Sequence, residues 1–171
     1  MEIHVFIKKP VLIGLVVIAL VAAIAAYTLW PRPAVKPYAL NIWTGGTGGV
    51  YYPLGVKLSE MLNKYAGDVI SSSVSTSGAS VANMRALAAG DANLVFVQND
   101  IAYYAYRGVY MFEGSRVGVV RGIAVLYPEV VQIVVRADSG IKSIYDLEGK
   151  RVAIGAAGSG TAVEAELILR A

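Results

Sequence analysis

The chain has 171 residues, 56% of them hydrophobic and 16% charged, which is too apolar for a disordered tail and leaves room for one modest core. Its formal charge of +3 belongs to the leader: residues 1–37 hold Lys8, Lys9, Arg32 and Lys36 against Glu2, while 38–171 carry 11 basic and 11 acidic side chains. A nucleic-acid surface therefore has no electrostatic footing in the body.

The chain has no cysteine. That excludes disulfides, thiol nucleophiles, Cys-ligated metals and a lipidated-cysteine anchor. The single histidine, His4, lies ahead of the first apolar segment. A Ser-His-Asp triad or a His-rich metal site in the body is thereby excluded too.

Taken in chain order, Val11 to Trp30 is free of charge, and at ~1.5 Å rise per residue a helix of that length spans about 30 Å, the hydrocarbon thickness of a bilayer. Lys8 and Lys9 precede it, and Tyr27 and Trp30 close it with rings suited to a lipid–water boundary. Two readings stay open, a transmembrane anchor and a signal peptide cleaved near Ala23-Ile24-Ala25. The stretch from Pro31 to Pro37 reads as a stiff, extended spacer.

Beyond Pro37 strands and helices alternate. Tyr38 to Thr44 reads as a strand, followed by the loop Gly45-Gly46-Thr47-Gly48-Gly49. A helix follows, with Pro53 in its first turn, Leu54, Leu58, Met61, Leu62 and Tyr65 on one face, and Gly67 past its end. Val69 to Thr76 is a weak strand, Ser80 caps a helix closed by Gly90, Leu94 to Val97 is a short buried strand, and Ile101 to Arg107 is helical. This β-α-β-α-β-α order predicts a parallel sheet with packed helices. Three further strands are expected over Val117–Tyr127, Val130–Arg136 and Arg151–Gly155, a short helix capped by Ser143 over 144–148, and a final helix from about Thr161.

Both glycine loops, 45–49 and 155–161, lie between a strand and a helix, where free backbone N–H groups and the helix dipole suit an anion. Tight-turn glycine is the competing reading for each. Neither loop carries the lysine of a P-loop, the first breaks the dinucleotide fingerprint at Tyr51, and Ala157 and Thr161 replace the outer glycines of a nucleophile elbow. Gln98, Asn99 and Asp100 end a buried strand, the position where open α/β sheets bind ligands, and they equally suit a helix cap. Tyr103, Tyr104, Tyr106 and Tyr110 are expected to pack against the sheet rather than to line a pocket. Arg85 and Arg121 are read as surface arginines.

Together LNIWTGGTGGVYYPLG at 40–55, the stretch from Ser77 to Gly108 containing VANMRALAAGDANLVFVQNDIAYYAYRG, and VVRADSGIKSIYDLEGKRVAIGAAGSGT at 134–161 resemble the TAXI family. These are extracytoplasmic solute-binding proteins of tripartite ATP-independent periplasmic (TRAP) transporters. The resemblance implies an α/β, periplasmic-binding-protein-like two-lobed fold. Residues 38–129 would be a nearly complete first lobe and 130–171 a second lobe only begun, with the anchor or signal peptide and linker at 1–37.

It also implies capture of a small acidic ligand, such as a glutamate-like amino acid or another carboxylate, for a TRAP-type permease, with no cofactor, no metal and no catalysis. Residues 11–30 would contact the membrane, and the protein would be extracytoplasmic, either anchored or secreted. Carried onto this sequence, the site would comprise Thr47, Gly48, Gly49 and Tyr51, then Ser77, Ser80 and Asn83, then Gln98 and Asn99, and finally Gly158, Ser159, Gly160 and Thr161. A carboxylate-dependent hydrolase and a sensory module on the same scaffold remain alternatives.

Overall fold

The computed structural model describes residues 9–29 and 36–171. The first of these stretches forms helix α1, Lys9–Leu29, in a compact unit separate from residues 37–171. No helix among the described residues is long and apolar enough to cross a membrane. The expected transmembrane or signal helix, and with it the membrane contact of residues 11–30, is corrected on this ground. Trp30 and the spacer residues 31–35 lie outside the described residues.

The second unit is built on a three-stranded parallel sheet of order β2-β1-β3, from β1 (Tyr38–Trp43), β2 (Ile70–Ser75) and β3 (Leu94–Val95). β1 is central, pairing Tyr38 with Ile70 through Trp43 with Ser75 on one side and Ile42 with Leu94 on the other. The central place suits its sequence, since Ile42 is fully buried.

Parallel strands need crossovers, and α2 (Tyr51–Tyr65) and α3 (Ser80–Ala89) supply them, with α4 (Asn99–Arg107) following β3. The last two stop at Gly90 and Gly108, both in the left-handed conformation that glycine adopts without a Cβ penalty. Gly55 lets α2 approach β1 closely: a Cβ there would lie 2.4 Å from Thr44 Cγ2. The outer edge of β2 is not left bare, because Asn63 on α2 accepts the Ser72 N–H at 2.7 Å and donates to its carbonyl at 3.0 Å. A side chain thus stands in for the missing neighbour strand.

The main apolar cluster lies between α3, α4 and the segment after them. It joins Val81 and Met84 to Ile101 and Ala105, closed by Phe112 and Val117. Tyr104 packs on this cluster, but Tyr103, Tyr106 and Tyr110 stay exposed, so three of the four tyrosines expected against the sheet are not there. Arg107 and Arg116 lie over the rings of Tyr103 and Tyr106 instead.

The larger correction concerns residues 117–155. None of the three strands expected at 117–127, 130–136 and 151–155 forms, and no second sheet is present among the described residues. Val117 is drawn into the first core. Val125, Val134 and Ile123 are 98%, 87% and 81% exposed, and residues 121–135 make no backbone hydrogen bond in turns or ladders. The two-lobed expectation gives way to one open sheet with its helices. Sequence pattern supplies the apolar residues of a strand, but a strand exists only where a neighbour takes its N–H and C=O groups.

Within this stretch Ile144–Leu147 makes a single 3-10 turn, with Ser143 and Asp146 forming a capping box. The backbone N–H groups of Lys142 and Ser143 hold the Asp146 carboxyl below its usual range. Helix α5 spans Gly160–Arg170.

Candidate functional site

The sheet's strands point their C-terminal ends toward the loops that enter α2, α3 and α4, and at these ends the polar residues gather. Ser77 Oγ accepts the Ala79 N–H at 2.9 Å and donates to the Thr44 carbonyl at 2.9 Å. Ser80, buried at the start of α3, accepts the Gln98 backbone N–H at 3.1 Å. Asn83 is fully buried, and its Nδ2 donates to the carbonyls of Thr44 at 2.6 Å and Phe96 at 2.7 Å. That amide therefore ties the ends of β1 and β3 together beneath the surface. Both of its donor hydrogens are spent on main chain, so its place is a staple under the site.

The second glycine loop reaches the same place. Gly158 offers its carbonyl to the N–H groups of Val81 and Ala82, at 2.9 and 3.1 Å, filling the first-turn donors of α3 that an anion would otherwise find. Ser159 caps α5, its Oγ accepting from Ala162 N at 3.1 Å. At Gly160 an added Cβ would fall 1.6 Å from Gln98 Oε1, so the glycine is what allows α5 to meet the Gln98 amide. The first-turn N–H groups of Gly160 and Thr161 have no acceptor within their own helix.

The first glycine loop sits apart from this knot. Thr47, Gly48 and Gly49 are exposed in a turn closed by the Gly49 N–H on the Gly46 carbonyl, 3.0 Å. Asn99 is exposed as well, as the first residue of α4. Tyr51 links the two regions. Its ring packs on Phe96 at 5.6 Å between centroids, and its hydroxyl donates to Glu129 Oε2 at 3.0 Å. Burial raises its phenol well above the usual range, the Ser80 hydroxyl opposes that, and the Glu129 carboxylate adds to it.

Residue types alone did not reveal several participants. Glu129 also accepts from the Tyr127 hydroxyl at 3.3 Å. Glu164 on α5 has its carboxyl pushed up by burial and by the negative charge of Asp100, with the Gln98 amide pulling the other way. Asp100 keeps one buried carboxylate oxygen with no hydrogen-bond partner among the described residues. Ala79 stands at φ 72, a conformation that costs a non-glycine residue ~1–3 kcal/mol and marks many ligand edges. Gly78-Ala79 between two serines was the only hint of it in the sequence.

Arg85 and Arg121 bond backbone carbonyls rather than carboxylates. A cavity of about 700 Å³ lies beside the knot. Of the expected site residues Gln98 and Thr161 line it, with Glu129, Glu164 and aliphatic side chains from 130–135 and 152–154.

Chemically the knot offers neutral hydroxyls, amides and free N–H groups, with no nucleophile placed against a base. Among the described residues no group of three or more acidic or histidine side chains is arranged to hold a metal ion. Residues 42–171, about three quarters of the sequence, match the NMT1-like family; the chain belongs to this family of solute-binding proteins and is a binding protein rather than an enzyme.

Proposed function

We propose that the chain is a TAXI-type, extracytoplasmic member of this solute-binding family. In this reading it captures a small acidic ligand, a glutamate-like amino acid or another carboxylate, for delivery to a TRAP-type permease. The reading is carried by one observation: the loops leaving β2 and β3 bring Ser77, Ser80 and Gln98 to one end of a parallel sheet, where the 158–161 turn docks on the start of α3. Ligands of open α/β sheets bind at that end. Neutral donors suit reversible capture, since they recognise a carboxylate without the cost of separating a buried ion pair on release. Thr47, Gly48, Gly49 and Asn99 belong to the proposed site as its exposed rim, Tyr51 as its wall, and Asn83 as the staple beneath it.

A thermal-shift screen of dicarboxylates, acidic amino acids and neutral sugars tests this. An acid that binds should stabilise the protein by ~2.7 kcal/mol at one hundred times its dissociation constant. A response to neutral sugars together with none to any anionic compound would overturn the assignment.

A further inference from the structure

The Tyr51 hydroxyl already holds a carboxylate, and that carboxylate comes from the chain itself. Glu129 takes one hydrogen bond on each oxygen, from Tyr51 at 3.0 Å and Tyr127 at 3.3 Å, and no lysine or arginine is paired with it among the described residues. Tyr127 is two residues from Glu129 on the same segment, so the Tyr51 hydroxyl is the donor that a small acid would find in its place.

The arm that carries Glu129 is otherwise untethered. Residues 121–135 make no backbone hydrogen bond in turns or ladders, Glu129 itself is exposed, and it lines the same cavity as Gln98, Thr161 and Glu164. Tyr51, by contrast, is fixed by its place in the first turn of α2 and by its packing on Phe96. The donor is rigid and its occupant is removable.

We propose that the Glu129 carboxylate is a tethered competitor that fills the Tyr51 subsite until a carboxylate of the ligand displaces it. This rests on the reading of the site as one for acids, and it adds that the free protein holds itself in a self-occupied state. A tethered group of this kind lowers apparent affinity by the fraction of molecules in which the subsite is open. If one molecule in about ten is open, removing the competitor tightens binding about tenfold.

The experiment titrates the 171-residue protein calorimetrically with succinate and L-glutamate. Acetate, the smallest carboxylate, is followed by the NMR signals of ring-labelled tyrosine. The wild type is compared with Glu129→Ala, Glu129→Gln and Glu129→Ala/Tyr51→Phe. Far-UV circular dichroism confirms that each variant is folded.

Glu129→Ala should tighten acetate, and whichever longer acid binds, by about tenfold. Glu129→Gln should give a smaller gain, because its amide oxygen still accepts from one tyrosine, and Tyr51→Phe should cancel the gain. Unchanged or weaker acetate binding in Glu129→Ala overturns the proposal. If Glu129→Ala gains acetate while no longer acid binds any form, the competitor stands and solute capture falls. If L-glutamate binds wild type and Glu129→Ala equally, capture stands and the competitor falls.

Discussion

Ile42 and Val125 are both β-branched residues in runs that read as strands, yet the first is fully buried and the second is 98% exposed. The difference between residues 38–112 and 117–155 is one of partners rather than composition. β1 finds β2 and β3 on its two sides, and α2 closes over it through the glycine at 55. The later runs have as many aliphatic residues and no ladder. Apolar side chains contribute to stability only once water has been removed from them. An unpaired run of valines is therefore stabilised neither by its hydrogen bonds nor by its side chains.

The sharpest way to break this comparison is to remove equivalent atoms on both sides of it. Ile42→Ala should destabilise by about 2–5 kcal/mol, the range for truncating a buried aliphatic residue. Val125→Ala and Val134→Ala should each fall within ~0.5 kcal/mol of wild type. Urea unfolding of the three variants decides it. Equal losses at 42 and 134 would mean that the later segment has a packing partner in solution.

Asn83→Ala comes next. It leaves the Phe96 carbonyl, which the amide now satisfies at 2.7 Å, without its buried donor, while the Thr44 carbonyl keeps the Ser77 hydroxyl. The expected loss is about 1–3 kcal/mol, the cost of one orphaned buried polar group. Asn83→Asp should be no better, because a carboxylate cannot donate to either carbonyl. If instead Asn83→Ala unfolds at the wild-type urea concentration and only ligand affinity falls, Asn83 is a ligand contact and the staple is wrong.

How far the sequence could be read follows the same division. Periodicity and turn chemistry locate α2, α3 and α4 within two residues, because an amphipathic stripe and a following glycine are local properties. Ser80 was expected to cap α3; the cap position is Ala79 and the serine is the first helical residue, buried against Gln98. The strand expected at Leu94–Val97 pairs only over Leu94–Val95. After Val95 the chain still gives the Phe96 N–H to Trp43 but has turned toward α4.

Asn83 was legible as polar and near the strand ends, but not as a staple, since only packing shows that its donors face main chain. The Gln98–Gly160 and Tyr51–Glu129 contacts join residues more than sixty positions apart. Residue type says nothing of such pairs. The three later strands were misread for the reason their valines are exposed: period and β-propensity measure what a strand would contain and not whether another strand lies beside it.

Ala79→Gly is a smaller test and runs in the stabilising direction. At φ 72 the alanine is strained, and glycine relieves ~1–3 kcal/mol of strain while adding unfolded-state entropy worth ~0.4–1 kcal/mol. A net gain of about 1 kcal/mol in urea is expected. A loss would mean that the residue adopts an ordinary conformation in solution, and that the turn entering α3 is more relaxed than Gly158's hold on Val81 and Ala82 implies.

The smallest effect is expected from Glu164→Gln, and its pH dependence carries the information. Burial and the Asp100 charge raise the carboxyl of Glu164 above its ordinary value of 4.5, so the folded protein holds this proton more tightly than the unfolded chain does. An acid raised in this sense costs no stability below its unfolded value and takes stability away as pH rises through the folded one. Glu164→Gln removes the charge and keeps the shape, and so should stabilise at pH 7. The side chain is only partly buried, and solvent screening limits the gain to about 0.5 kcal/mol.

At pH 4, where the wild-type carboxyl is protonated in the fold, the two proteins should unfold together. Urea midpoints measured from pH 4 to pH 7 would show the difference opening as pH rises. A difference that is constant with pH would mean that glutamine gains through packing alone. In that case Glu164 does not share the field of Asp100 and Glu129, and burial with its neighbours' shape, not charge, sets its environment.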